Sequence, residues 1–167
     1  MKNRTEKNGS RNDDWCTPKY ILNYVRHKYG RFFDPCPLNP KFDGLKVSWG
    51  GVNFINPPYN IKSKTAFVKK AISGAAKGKT SILLIPAATE TKVFMELWLN
   101  AHEIMFIHKR VKFRGYNTKG EFVTDKSGQS GSMLAVIKGK RTMSKSKPEV
   151  SVLFQEDMVV GHDQPGK

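Results

Sequence analysis

The sequence predicts one α/β domain, with a doubly wound, mostly parallel sheet that ends in an antiparallel hairpin. Its 167 residues suit a single domain. Between residues 18 and 108, short apolar runs alternate with apolar patterns of helical period, which is the βαβα order of such sheets. The continuous apolar run 80–86 is typical of a strand that is buried on both faces.

The individual elements follow from local patterns. Thr17 and Pro18 are the residue types of a helix N-cap and first helical position. The first predicted elements are a helix at 18–29, a strand at 32–34 that stops at Pro35, and a strand at 52–55. A second helix carries the apolar positions 67, 68, 71, 72 and 75 and ends at Gly78. A strand at 80–86, a helix at 93–101 and a strand at 103–108 follow.

The pattern changes after Lys109. Residues 110–114 alternate like an exposed or edge strand, and 132–137 form an apolar strand, so we expect these two segments to pair as the antiparallel hairpin. The connection 115–131 is long and polar, which is typical of functional or disordered loops. Residues 150–154 are a candidate last strand. We therefore predict a flexible basic tail at 1–12, the domain at 13–140, and a basic linker, the candidate strand and a loose end at 141–167.

The charge of the chain favours a polyanionic partner. There are 29 Lys and Arg against 14 Asp and Glu, a net charge of +15, which suits nucleic acid first and an anionic membrane surface second. No run has the apolar core of a signal peptide or a membrane span, so we expect a cytoplasmic protein. The two cysteines form no CxxC pair and the four histidines lack zinc-ligand spacing, so we expect no disulfide framework and no metal.

The turn Asn56-Pro57-Pro58-Tyr59 carries the most specific chemistry. The side-chain oxygen of Asn56 and the backbone carbonyl of Pro57 can accept hydrogen bonds from the exocyclic amine of adenine or cytosine, held by prolines with restricted φ angles. Tyr59 can stack on a base that has left the duplex. The same residues also suit a plain proline-rich turn, so the functional interpretation depends on the preceding strand and the basic helix that follows.

Several motifs, in one order, resemble the phage-type, Dam-like DNA N6-adenine methyltransferases, which use S-adenosylmethionine. They are Asp14-Trp15-Cys16-Thr17-Pro18 for the W-x-T-P element, Phe33-Asp34-Pro35-Cys36 for the first cofactor motif, Asp43-Gly44-Leu45 with Trp49 for the acidic segment, Asn56 to Tyr59 for the catalytic motif, and Arg110-Val111-Lys112-Phe113 with Gly131-Ser132 for the carboxy-terminal half. The resemblance covers about residues 13–138. It implies a Rossmann-like methyltransferase domain that is abbreviated between the first cofactor motif and Asn56.

The resemblance also implies roles for residues. The catalytic set is Asn56, Pro57, Pro58 and Tyr59, and the cofactor-binding set is Trp15, Thr17, Pro18, Asp34, Pro35, Cys36, Asp43 and Asn56. Asp34 would meet the methionine end of the cofactor, and a carboxylate after a strand of an open sheet does face the ligand crevice. Asp43 either contacts the adenosine or only forms a turn before Gly44. Cys36 is interpreted as a small buried hydrophobe. A glycine-rich turn, which many methyltransferases have after the first motif, is missing, so the residue that holds the ribose stays open.

Basic residues in both halves of the chain are candidates to bind DNA. Lys62, Lys64, Lys69, Lys70, Arg110, Lys112 and Arg114 would neutralise phosphates, and Tyr116, Asn117 and Lys119 would recognise bases. Without a separate recognition domain, the target sequence should be short or relaxed. N4-cytosine or RNA adenine methylation uses the same amine chemistry, and a catalytically silent nucleic-acid-binding protein is a third interpretation. The resemblance suggests a phage or prophage gene that protects DNA against restriction.

Overall fold

The computed structural model describes residues 15–116, 121–139 and 147–159. The predicted tail at 1–12, most of the linker, the chain end, Asn117 and Lys119 lie outside these ranges. The elements, in chain order, are β1 (Trp15–Cys16), α1 (Lys19–Tyr29), β2 (Val52–Ile55), α2 (Ile61–Ala75), β3 (Thr80–Pro86), α3 (Lys92–Asn100), β4 (Glu103–Ile107), β5 (Lys112–Tyr116), β6 (Phe122–Ser127), β7 (Ser132–Lys138), β8 (Glu149–Leu153) and a 3₁₀ turn (Asp157–Val159).

The main sheet has five strands in the order β2-β3-β7-β4-β8. β2 runs parallel to β3 and β4 runs parallel to β8, whereas β7 lies between β3 and β4 and is antiparallel to both. The sheet is therefore mixed, and the expectation of a mostly parallel sheet holds only in part. The candidate strand at 150–154 is present as β8.

The predicted hairpin between 110–114 and 132–137 is wrong. β7 is buried at every position from Ser132 to Ile137, and a strand that is apolar on both faces is most stable in the middle of a sheet. β5 pairs instead with β6, which lies inside the connection that was expected to be a loop. β6 is almost entirely exposed, so its sequence has no buried face to indicate a strand.

A second, three-stranded sheet has the order β1-β5-β6 and is antiparallel. Trp15 pairs with Gly115 and Cys16 with Arg114, so the short W-x-T-P strand is an edge of this sheet. Tyr116 pairs with Phe122 at the other side, and the register shifts between Phe113 and Gly115. The first motif of the chain and the strands β5 and β6 are thus parts of one sheet.

Helices cover both faces of the main sheet. Ile21 and Val25 of α1 pack with Phe54 of β2 on one face. On the other face α2 and α3 bury Val68 and Leu97 in a second apolar cluster. The amphipathic patterns read from the sequence are confirmed, although α2 ends at Ala75 and Gly78, with φ of 79°, lies in the turn that follows.

Two local predictions are corrected at the start of the fold. Thr17 is not the N-cap of α1, because Pro18 takes that position and no side chain caps the helix. The strand expected at 32–34 is reduced to one parallel bridge between Phe33 and Asn53, since Pro35 has no amide hydrogen to continue the ladder. The bridge has the two hydrogen bonds of Phe33 N–H to the Val52 carbonyl (2.9 Å) and of Phe54 N–H to the Phe33 carbonyl (3.0 Å).

Within the described ranges, no helix is long and apolar enough to cross a membrane. The same residues contain no group of three or more His, Cys, Asp and Glu side chains placed to hold a metal ion.

Candidate active site

The turn from Asn56 to Tyr59 leaves the carboxyl end of β2. The next helix, α2, begins two residues after Tyr59, and the side chain of Asn60 caps it by accepting a hydrogen bond from the Ser63 amide (2.8 Å). Pro57 is buried. The turn is therefore held at both ends, by a strand before it and by a capped helix after it.

The amide of Asn56 has its donor side occupied and its acceptor side free. Its Nδ2 donates to Thr17 Oγ1 (3.1 Å) and points toward the Trp15 carbonyl (3.5 Å). Its Oδ1 is buried and has no hydrogen-bond partner among the described residues. A buried oxygen without a partner costs about 1–3 kcal/mol, and a hydrogen-bond donor on a ligand at this position would remove that cost.

Tyr59 packs against β5 and buries its hydroxyl. Its ring and that of Phe113 in β5 pack edge to face, with a centroid distance of 6.2 Å and an interplanar angle of 86°. Its hydroxyl is buried without a partner in the described part of the chain. Burial raises the pKa of this phenol, so it stays protonated at any physiological pH. That Tyr59 stacks on an extruded base stays a prediction.

Asp34 follows Phe33, which bridges to Asn53 of β2, the strand that ends directly before the turn 56–59. Its Oδ1 accepts a hydrogen bond from the Cys36 amide (2.8 Å), which closes a tight turn at the first cofactor motif. Burial raises the pKa of this carboxyl, and the Cys36 amide offsets the effect only in part. None of the salt bridges among the described residues involves Asp34, so a cationic ligand group would have a carboxylate to pair with.

Cys36 is unsuited to nucleophilic chemistry. Burial raises the pKa of its thiol, and the nearby charge of Asp34 raises the pKa further. The thiol therefore stays protonated, and its side chain packs against the apolar cluster under α2 and α3. Cys36 is therefore a partly buried side chain with apolar contacts, rather than the fully buried hydrophobe of the interpretation.

The acidic segment folds back on the first cofactor motif. A β-carbon added to Gly44 would lie 2.0 Å from the carbonyl oxygen of Pro35, so only glycine permits this approach. The Trp49 indole donates to the Gly44 carbonyl (2.7 Å). Asp43 is exposed and uses Oδ1 to accept from the Leu45 amide (2.9 Å), which is the turn-forming role that was its alternative to an adenosine contact.

Comparison with known proteins identifies the family. The sequence pattern of the DNA N-6-adenine-methyltransferase (Dam) family matches residues 4–161, which is most of the chain. The chain belongs to the Dam family. The resemblance read from the motifs is thereby confirmed, and with it S-adenosylmethionine as the cofactor.

One solved structure resembles the fold of this Dam-family chain. It is a Listeria monocytogenes protein assigned to the class I S-adenosylmethionine-dependent methyltransferases, with 14% sequence identity and a TM-score of 0.42. The match covers 70% of this chain and 41% of the other, so this chain spans less than half the length of that protein. A comparison with curated proteins gave no match.

Lys70 of the Dam-family chain, which was grouped with the phosphate contacts, forms its hydrogen bonds within the protein. Its ammonium donates to three backbone carbonyls of the acidic segment, at Gly44 (3.3 Å), Leu45 (2.6 Å) and Val47 (2.7 Å). It also lies 5.1 Å from the centroid of the Trp49 ring, and burial lowers its pKa. Lys70 therefore holds the segment that packs on the cofactor motif.

The other basic residues lie on two surfaces of the Dam-family chain. Lys62, Lys64 and Lys69 belong to α2, and Lys112 and Arg114 point to one side of β5, opposite the buried Phe113. Arg110 is exposed, and its Nη1 donates to the carbonyls of Gly128 (2.8 Å) and Gln129 (2.6 Å), so it also fastens the turn between β6 and β7. Tyr116 ends β5. The assignments to DNA stay predictions.

For this Dam-family chain, the sequence did not indicate that Phe113 packs on Tyr59 or that the backbone carbonyl of Trp15 lies next to the Asn56 amide. Both reach the turn 56–59 because β1 and β5 pair with each other beside it. This pairing joins residues that are far apart in the chain. The alternation of 110–114 was a signal for a strand with one buried face, but it did not reveal what that face contacts.

Proposed function

We propose that this chain transfers a methyl group from S-adenosylmethionine to N6 of adenine in DNA, at a short or relaxed target sequence. The observation that carries the proposal is the state of the Asn56 amide. Its orientation is set by Thr17 and Trp15, and its buried Oδ1 is free to accept a hydrogen bond. The exocyclic amine of an extruded adenine supplies the matching N–H donor.

Positioning is the main contribution of the protein. The lone pair of an adenine amine is delocalised into the ring, and acceptors for both N–H groups fix its direction. Asn56 Oδ1 takes one hydrogen, and the Pro57 carbonyl is our candidate for the other. Because Asn56 already donates to Thr17, its amide needs no reorganisation when the base arrives. Pro58 and Tyr59 hold and cover the base in this scheme.

The residues around Asp34 suit the cofactor. The carboxylate has no cationic partner in the described part of the chain, and it fits an ammonium group such as that of the methionine end. Trp15, Thr17, Pro18, Pro35 and Cys36 flank it in the two motifs, and Asp43 lies in the segment that Lys70 holds against them. When bound, S-adenosylmethionine supplies an electrophilic methyl group on its sulfonium.

DNA binding rests on charge. The net charge of +15 and the exposed Lys62, Lys69 and Lys112 favour contacts with phosphates and a steep dependence of affinity on salt. The β5–β6 hairpin, including Tyr116 and the adjoining Lys119, is our candidate for base recognition. The chain would act in the cytoplasm, that of the host cell if a phage encodes it, and its role would be to protect DNA against restriction.

Methylation-sensitive sequencing of DNA from cells that express the protein tests the proposal. We expect N6-methyladenine at a short motif, absent from cells that express Asn56→Ala. Nucleoside analysis of DNA and RNA after incubation with labelled cofactor separates the related activities. Label in N4-methylcytosine would mean that cytosine is the substrate, and label in RNA would mean that RNA is. DNA binding without any label would favour a catalytically silent nucleic-acid-binding protein.

Thr17 should act as a positioning residue for the Asn56 amide. Thr17→Val keeps the shape of the side chain but removes the acceptor of the 3.1 Å hydrogen bond, so the amide can rotate and place Nδ2 toward the base. We expect kcat to fall by roughly tenfold, corresponding to about 1.4 kcal/mol of lost orientation, with the KM for cofactor within about twofold. Steady-state kinetics measure both constants.

Thr17→Ser is the matched control, because it keeps the hydroxyl and should recover most of the lost kcat. Equal losses in Thr17→Val and Thr17→Ser would mean that the methyl group of Thr17 matters and the hydrogen bond does not.

A further inference from the structure

A groove opens between the first turns of α2 and α3. These helices follow β2 and β3, which run parallel with Ile55 opposite Leu83, so both helices begin at the sheet edge that carries the catalytic turn. The groove has a volume of about 430 Å³, which lies in the range of ligand pockets, roughly 300–1,000 Å³. It starts at Ile61, two residues after Tyr59.

The groove combines an apolar floor with a cationic rim. Val68 and Val93 line its base, and Ile61 extends the apolar surface with a side chain that is 77% exposed. Lys64, Lys69 and Lys92 line the rim together with one carboxylate, that of Glu96. None of these three lysines takes part in a salt bridge within the described ranges.

Both helix N-termini add to the positive potential. Neither α2 nor α3 has an acidic residue in its first turn, so their N-terminal dipoles are not neutralised by the helices themselves. A phosphate would be attracted to this rim, but a phosphate alone would leave the apolar surface of the groove, to which Ile61 contributes most, in contact with water. A nucleotide fits both parts, because its base can stack on apolar side chains while its phosphates meet the lysines.

We propose that this groove binds an unpaired nucleotide of the DNA strand next to the target adenine. The inference rests on the proposed function, since extrusion of the target weakens the stacking of its neighbours and makes one of them available. The position of the groove directly after the catalytic turn suits a flanking nucleotide. Lys92, Val93 and Ile61 thereby become DNA contacts in addition to Lys64 and Lys69.

The test measures DNA affinity by fluorescence anisotropy in an Asn56→Ala background, so that turnover does not interfere. Lys92→Glu should weaken binding to a duplex oligonucleotide by roughly tenfold and lower the slope of log K against log salt by about one. Lys77→Glu is the matched control, because Lys77 is exposed and follows the opposite end of α2. It should change affinity by less than half as much.

Two further measurements test the base-binding floor. Thr65→Trp, on the groove wall, should fill the space and weaken binding by roughly fivefold without changing the salt slope. Independently of any groove variant, an abasic site moved through the nucleotides around the target should weaken binding by at least threefold at one position. In the Thr65→Trp variant, an abasic site at that position should cause no further loss of affinity.

A flat abasic scan together with full affinity of Thr65→Trp would overturn the proposal, even if Lys92→Glu weakens binding, because the lysines would then meet phosphates outside the groove. Equal effects of Lys92→Glu and Lys77→Glu would also overturn it. If the parent protein shows no methyl transfer but the affinity pattern appears, the proposed function fails, and the groove is shown to bind an unpaired nucleotide without serving methyl transfer.

Discussion

Replacing Asn56 by alanine is expected to lower the rate of methyl transfer by roughly 10²–10³-fold while leaving cofactor affinity within about threefold of the parent protein. The substitution removes the buried Oδ1, which is the free acceptor of the site. Losses of this size are typical when one preorganised hydrogen-bonding group is removed from a reacting centre. Single-turnover transfer of labelled methyl groups measures the rate, and isothermal titration calorimetry measures cofactor affinity.

Two other substitutions test whether the loss comes from the Asn56 acceptor. Asn56→Asp keeps an acceptor but loses the donor to Thr17, so it should retain more activity than Asn56→Ala. Asn100→Ala is the control, because Asn100 ends α3 and, among the residues that the structure describes, its side chain bonds only to the Glu96 carbonyl of its own helix. It should be as active as the parent protein. More than a tenth of the parent rate in a folded Asn56→Ala variant would contradict the assignment of Asn56.

Gly44→Ala is expected to cause the largest loss of stability, roughly 2–3 kcal/mol. The added methyl group would overlap the Pro35 carbonyl and would also press on the Phe67 ring at 3.3 Å. Because the Pro35 carbonyl is backbone, the first cofactor motif must move as a whole. For a domain of this size the melting temperature should fall by about 4–12 °C, as thermal unfolding followed by circular dichroism would show.

Gly51→Ala is the matched control for this substitution. A β-carbon at Gly51 meets nothing within 4 Å, so the change should alter stability by less than about 1 kcal/mol. We also expect Gly44→Ala to weaken cofactor binding, since the acidic segment and the first cofactor motif would separate. A melting temperature equal to that of Gly51→Ala would show that the two segments do not pack as closely as described.

Local patterns were enough to predict most helices and the strands of the main sheet. β2 and β3 have apolar runs bounded by turn residues, and the faces of α2 and α3 show helical period, so each follows from neighbouring residues alone. The end of β2 then places Asn56 at the edge where ligands bind in such folds. The motif order was specific enough for the family.

Features that depend on distant residues were not predictable in the same way. β7 looks like half of a hairpin in sequence, and only its burial between β3 and β4 explains its apolar character. Lys70 looks like any surface lysine until the three carbonyls around it are known. The hydrogen bond from Asn56 to Thr17 was not predicted, because Thr17 is also a residue type that caps helices. In the structure Pro18 takes the cap position.

The pairing of β1 with β5 has a consequence for the order in which the enzyme forms. Trp15 finds its partner, Gly115, only after most of the chain has been made, and closing so long a loop is slow. During synthesis, β2 and β3 can associate early, whereas the amide of Asn56 acquires its setting at a late stage. Nascent chains and amino-terminal fragments that stop before β5 would therefore contain the complete catalytic turn and still lack a working site.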